Sequence, residues 1–165
     1  WNMDFDYTPL NRNEAYALNK LVSIRLREVL REDKSGVYGV GCNFNPSHYP
    51  NSKLENTVSF NCKPENVDSL VQAVLTVIAE VKEKGCDEKN LEKIKQTFIR
   101  ERETALKENS FWLAAMVSAD KNNEKLADMD SYNEWVNSLK GPDFIQFADK
   151  YFKTDNYAKL VLMPE

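Results

Sequence analysis

Arg31 and Tyr38 stand seven residues apart in a chain of 165. Arginine offers a planar, permanently charged fork of donors, and tyrosine a phenol able to donate one hydrogen bond. Residues 26–44 change character between the two. Up to Arg31 the apolar positions keep helical spacing, and from Val37 they alternate as in a strand, with a polar break over 33–36. Arg31 therefore falls in the last turn of a helix and Tyr38 at the start of the next strand. A long cation and a phenol leaving adjacent element ends can converge on one point. Each also suits a structural role. A cation in a last turn faces the negative end of the helix dipole, worth ~0.3–1 kcal/mol, and a strand tyrosine can pack its ring and leave its hydroxyl wet.

Other chemistry finds little to work with. His48 is the only histidine and lies in the loop Asn45-Pro-Ser-His-Tyr-Pro. A catalytic zinc needs several histidine, carboxylate or thiolate ligands gathered in space, so His48 reads as a solvated loop residue. There is no Gly-x-Ser-x-Gly elbow, no glycine-rich phosphate loop and no histidine to serve a Ser or Cys triad. The carboxylate pairs Glu101 with Glu103 and Glu124 with Asp128 sit on long polar helices and read as solvated faces.

Residues 1–7 alternate weakly and suit a strand that has lost its beginning. Asn11 or Asn13 can cap a helix starting near Glu14, with Ala15, Leu18, Val22, Leu26, Val29 and Leu30 on one face. In the strand that follows, Tyr38, Val40, Cys42 and Phe44 share one face, while Gly39 and Gly41 leave the other almost bare. Glycine inside a strand often marks close approach of a backbone or ligand. A loop over 45–53 leads to a second strand, 54–62, and the two form an antiparallel hairpin. Pro64 opens a helix with the stripe Val67, Leu70, Val71, Val74, Ile78 and Val81, ended by Lys84 and Gly85. Asp87 and Ser110 can cap the next two helices. Shorter helices fit 131–139 and 142–152, and 157–163 reads as a closing strand. The order predicts an α+β fold, an antiparallel sheet with helices on one face, in one domain over 1–165.

Composition narrows the function. The 22 basic and 26 acidic residues give a formal charge of -4, without the clustered basic face that nucleic acid requires. No apolar run approaches the roughly 20 residues of a membrane span. The opening Trp1 is not followed by a charged and then apolar leader, and the start reads as that of a fragment. Cys42, Cys62 and Cys86 form no Cys-x-x-Cys pair. Cys42 and Cys62 lie on the apolar parity of their strands, and a disulfide between them depends on a register that the sequence leaves open.

Several segments together resemble one family. Leu26-Arg-Glu-Val-Leu-Arg-Glu followed by Gly36-Val-Tyr-Gly-Val is similar to the non-catalytic C-terminal domain of the insulinase/pitrilysin zinc metallopeptidases, the inverzincins. Phe60-Asn-Cys-Lys-Pro-Glu looks like the family's step from strand to helix. Lys84-Gly-Cys-Asp-Glu-Lys-Asn-Leu-Glu-Lys-Ile-Lys resembles its next helix start. Lys107-Glu-Asn-Ser-Phe-Trp-Leu, Lys150-Tyr-Phe and Asn156-Tyr-Ala-Lys-Leu-Val-Leu-Met-Pro continue the series over almost the whole chain.

The resemblance implies half of a clamshell: a non-zinc C-terminal domain, lacking its first few residues, that closes over a peptide held by an earlier, zinc-bearing domain. It implies that Tyr38 donates to the scissile carbonyl as it becomes an oxyanion, and that Arg31 binds a substrate carbonyl or orients Tyr38. One local departure is that the glycine stands two residues before Tyr38 instead of next to it. A larger one is that the chain has no His-x-x-Glu-His, so zinc and catalysis are expected in another domain of the same protein or in a partner subunit. The alternatives are a catalytically dead homologue acting as partner or scaffold, and a free-standing module that captures extended peptides at a sheet edge. Exported bacterial relatives lean the expected location towards the periplasm or cell envelope.

Overall fold

Proline has no amide hydrogen to leave unsatisfied, so a helix can begin on it. Helix α1 (Pro9–Leu26) does so, and the Thr8 hydroxyl at its N-cap accepts from the Asn11 amide at 3.2 Å. This start lies upstream of the expected one near Glu14, because Thr8 and Pro9 form the stronger signal. Asn11 is buried instead: its Nδ2 donates to the Asp6 carbonyl at 2.7 Å, and its Oδ1 accepts from Lys150 Nζ at 2.8 Å. The computed structural model describes residues 1–33, 37–126, 129–153 and 156–162, the side chains of 31–33, 38, 129 and 130 excepted.

Two compact units emerge, Trp1–Asp87 with Gly141–Glu165, and Glu88–Lys140. In the first, α1 runs into a π-helical segment (Arg27–Asp33) and then strand β2 (Val37–Ser47). Strand β3 (Lys53–Cys62) returns antiparallel to β2, and the short β1 (Asn2–Asp4) pairs antiparallel on its other edge, giving the order β1-β3-β2. A 3-10 turn (Pro64–Asn66) leads into α2 (Val67–Lys84), and the unit ends with α6 (Asp143–Tyr151). Helices α1, α2 and α6 pack on one another, and α1 also packs along β2. Of the two predicted stripes, Leu18, Val22, Leu26 and Leu30 and then Leu70, Val74, Ile78 and Val81 are buried, while Val29, Val67 and Val71 are half-buried; α6 adds Phe144, Phe147 and Tyr151. On the sheet, Leu54 and Asn56 are buried, whereas Thr57, Ser59 and Asn61 on the alternate parity are exposed. This is the expected α+β sheet with one covered face.

The register settles the cysteines. Cys42 pairs with Val58 and Cys62 with Val37, so the two are offset by four residues of β3, about 13 Å at ~3.3 Å per residue. A disulfide needs Cα atoms within ~7 Å, and both thiols are free. The closing strand is not formed among the described residues: 156–162 makes no ladder. It is held by side chains, with Asn156 Nδ2 donating to the Asn2 carbonyl at 2.6 Å, Tyr157 against the Trp1 ring, and Lys159 paired with Asp68.

The second unit holds α3 (Glu88–Ala105), α4 (Asn109–Asn122) and α5 (Met129–Ser138). Helix α5 packs on α3, where the Trp135 ring stacks on Phe98 at 6.3 Å and Lys95 Nζ donates to the Asn137 carbonyl at 2.8 Å. The Arg102 guanidinium lies 4.8 Å from the Phe111 ring centroid and 4.9 Å from that of Tyr132. Ser110 is not the cap of α4, since the helix already includes Asn109 and Glu108 holds the cap position. Among the described residues, no helix is long and apolar enough to cross a membrane.

Candidate functional site

The site is built where α1 gives way to β2. Leu18, Leu21, Val22, Leu26 and Leu30 are all buried on one side, which fixes the helix against the core by roughly 1.5–3 kcal/mol for each fully buried side chain. Ion pairs tether its end: the Arg25 guanidinium meets Glu28 at 3.1 Å and Glu80 of α2 at 2.9 Å. From Arg27 the helix widens into its π-helical segment, a form that recurs at functional sites. Arg31 lies in this segment. Its backbone is thus helical, as predicted, in a wider turn than the sequence announced.

Tyr38 is the second residue of β2, again as predicted for its backbone. The side chains of Arg31 and Tyr38 both lie outside the described residues, as do residues 34–36 with Gly36. What the structure places is the pair of backbones, seven residues apart, at the end of a helical segment that packs against β2 and at that strand's beginning.

The ladder of β2 is irregular at its start. Val40, Cys42 and Phe44 pair with Phe60, Val58 and Asn56 in regular register, but the preceding rung joins Val37, not Tyr38, to Cys62. A β-bulge therefore holds the backbones of Tyr38 and Gly39 between two rungs, and Val37 on the rung before it is buried. Bulges bend a strand and re-aim its residues, often beside active sites. Among the described residues beside it, Gly41 pairs with Ser59. Gly39 is exposed and a Cβ there would meet nothing within 4 Å, whereas one on Gly41 would meet Ser59 Oγ at 3.0 Å. Close approach thus holds for Gly41 alone.

Beneath the strand, Cys42 anchors β2. Burial pushes its thiol up to about 12, with the Ser23 hydroxyl hydrogen bond pulling the other way. It is a neutral packing residue, as is Cys86, raised to about 12 by burial and by the Asp87 charge. His48 is more engaged than a solvated loop residue: its ring stacks on Tyr7 at 5.0 Å and its Nδ1 lies 2.9 Å from Ser52 Oγ. Glu101 and Glu103 are exposed on α3, and Asp128 lies outside the described residues. Among the described residues, no three His, Cys, Asp or Glu side chains are gathered as a metal ion would require.

Sequence reasoning missed a polar network beside the core. Tyr151 Oη donates to Glu14 Oε2 at 2.7 Å, Lys150 Nζ reaches the same carboxylate at 2.9 Å, and Asn56 Nδ2 donates to the Tyr151 carbonyl at 2.7 Å. Asn56 lies on the buried parity of β3, and a polar residue in that register was the available signal.

The family described as "Peptidase M16 inactive domain" matches residues 10–98, and the chain belongs to it, the non-catalytic domain of the insulinase-like peptidases. No curated protein matches significantly. Among solved structures, the peptidase M16 inactive domain from Pseudomonas fluorescens is similar at a TM-score of 0.75 and 19% identity, over 93% of this chain and 37% of that one. The ferredoxin protease FusC, solved in complex with Arabidopsis ferredoxin, gives 0.75 and 18% over 94% of this chain and 17% of its own. The periplasmic protease PqqL from Escherichia coli gives 0.70 and 19% over 91% and 17%. These likenesses concern the fold. The chain spans 17% to 37% of the length of these three structures.

Proposed function

We propose that this domain grips peptide substrate for a zinc metallopeptidase whose metal is bound by a separate domain carrying His-x-x-Glu-His, in the same polypeptide or a partner subunit. One observation carries the reading: Arg31 and Tyr38 keep the family spacing, with their backbones at the end of a helical segment and the start of the strand it packs against. In this reading the Tyr38 hydroxyl donates to the scissile carbonyl as negative charge gathers on its oxygen. Such a donor strengthens in the transition state and so raises kcat. The Arg31 fork binds a main-chain carbonyl of the peptide and aligns it. The zinc-bearing domain supplies activated water, and this chain supplies grip and charge stabilisation.

The ferredoxin complex of FusC supports a polypeptide as the kind of substrate, and PqqL, described as periplasmic, supports the periplasm or envelope as the location. The test is a peptide-hydrolysis assay on the complete assembly. The isolated chain should show no turnover with added zinc, and Arg31→Ala in the assembly should raise KM at least about tenfold, in line with one lost charged hydrogen bond. An unchanged KM removes the role of Arg31. Absence of hydrolysis with any zinc-bearing domain turns the reading into that of a scaffold subunit.

A further inference from the structure

A π-helical turn is wider than an α-turn and rare, so it persists only where its surroundings resist relaxation. The segment Arg27–Asp33 has this form. Relaxing it to α geometry would shift the chain beyond by one residue, a turn of about 100° about the axis and ~1.5 Å along it. Arg31 lies in the second half of the segment, so the π geometry decides where its backbone stands.

Two kinds of contact hold it there. Leu26 just before the segment and Leu30 within it are fully buried and seat one side on the core. The second contact is a clamp of three charges. Arg25 Nη1 donates to Glu28 Oε2 at 3.1 Å, and Nη2 donates to Glu80 Oε2 at 2.9 Å. Arg25 stands in the last turn of α1, Glu28 in the first turn of the π segment, and Glu80 on α2, which packs against that segment. One guanidinium thus spans the junction where the α-helix widens and ties it sideways to a second helix. Its donors form a rigid planar fork, so the spacing between Glu28 and α2 is set by that plane. The three side chains are roughly one-third exposed, and partial shielding from water preserves more of their attraction than full exposure would. Without Glu80, only a local pair three residues apart along the helix remains, which is weak and has no anchor on α2.

We infer that Glu80, acting through Arg25 and Glu28, is a positioning residue for Arg31: it holds the π turn, and with it the place from which Arg31 reaches the peptide. This rests on the peptide-binding role proposed for Arg31. Glu80 acts at a distance from the peptide, on its binding and not on the chemical step. A second ion pair on the same helix provides the comparison. Lys82 of α2 meets Asp149 of α6 at 3.6 Å and ties α2 to α6 instead of to the π segment.

The test is steady-state peptide hydrolysis by the complete assembly carrying Glu80→Gln, Asp149→Asn, Arg31→Ala, or Glu80→Gln together with Arg31→Ala. Glu80→Gln keeps the size of the side chain and deletes its charge. It should raise KM about three- to fivefold, the size expected of one partly shielded ion pair, and leave kcat unchanged. Asp149→Asn should leave both constants unchanged. In the Arg31→Ala background Glu80→Gln should raise KM no further, since residues that act as a unit are not additive. An unchanged KM in Glu80→Gln beside a raised one in Arg31→Ala overturns the inference and leaves the role of Arg31 standing. Equal rises from Glu80→Gln and Asp149→Asn, or two factors that multiply in the double variant, mean general loosening and also overturn it. An unchanged KM in Arg31→Ala removes both the role of Arg31 and the inference.

Discussion

Val37 and Val40 are three residues apart in β2, yet they pair with Cys62 and Phe60, which are two apart in β3. The extra residue puts Tyr38 and Gly39 in a bulge at the point where the chain leaves the π-helical segment. Val37, on the rung before the bulge, is buried.

Gly39 tests how open this turn is. A Cβ there meets nothing within 4 Å and its φ lies outside the left-handed region. Gly39→Ala should therefore leave stability unchanged or raise it by up to about 1 kcal/mol, through a less flexible unfolded chain. Urea denaturation reads the change, and a loss above that size would mean the bulge needs glycine.

Gly85 gives the opposite result. It closes α2 at φ +70°, and a Cβ would stand 2.3 Å from the Gly141 carbonyl oxygen. Gly85→Ala combines left-handed strain with a backbone clash and should cost more than about 1 kcal/mol. The same denaturation series measures it.

Asn56 ties β3 to the end of α6 through its bond to the Tyr151 carbonyl. Asn56→Ala leaves a buried acceptor unpaired, a loss of about 1–3 kcal/mol. Tyr151→Phe should cost a comparable amount, because it removes the donor to Glu14. Circular dichroism melts of the two variants check both values.

Base should unfold the protein through its thiols. Cys42 and Cys86 are both raised from 9.0 to about 12, chiefly by burial. The unfolded chain therefore releases these protons first as pH rises. The stabilisation they give is whole below pH 9 and declines as pH climbs towards about 12. A Cys42→Ala, Cys86→Ala double variant should show a shallower decline in melting temperature over that window. In the native protein at pH 8, both thiols should resist alkylation.

The helices were legible because their apolar stripes have the right period and their ends carry Pro64, Gly85 and similar signals. The bulge was not, since alternation in Tyr38, Val40, Cys42 and Phe44 fits a regular strand equally well. Only the pairing with β3 shows that Val37 takes the inner position. Residues 157–163 read as a closing strand, but a strand needs a neighbour within about 4.8 Å, and among the described residues 156–162 makes no ladder. The spacing of Arg31 and Tyr38 was plain in the chain, and its meaning came from resemblance, because a cation and a phenol at element ends also suit purely structural roles.

We propose above that the Tyr38 hydroxyl stabilises charge on the scissile carbonyl. Tyr38→Phe in the complete peptidase keeps the ring and deletes only the donor. Steady-state peptide hydrolysis should show kcat lower by about 10²–10³-fold, with KM little changed and zinc content intact. A kcat equal to that of the unsubstituted enzyme would contradict the account.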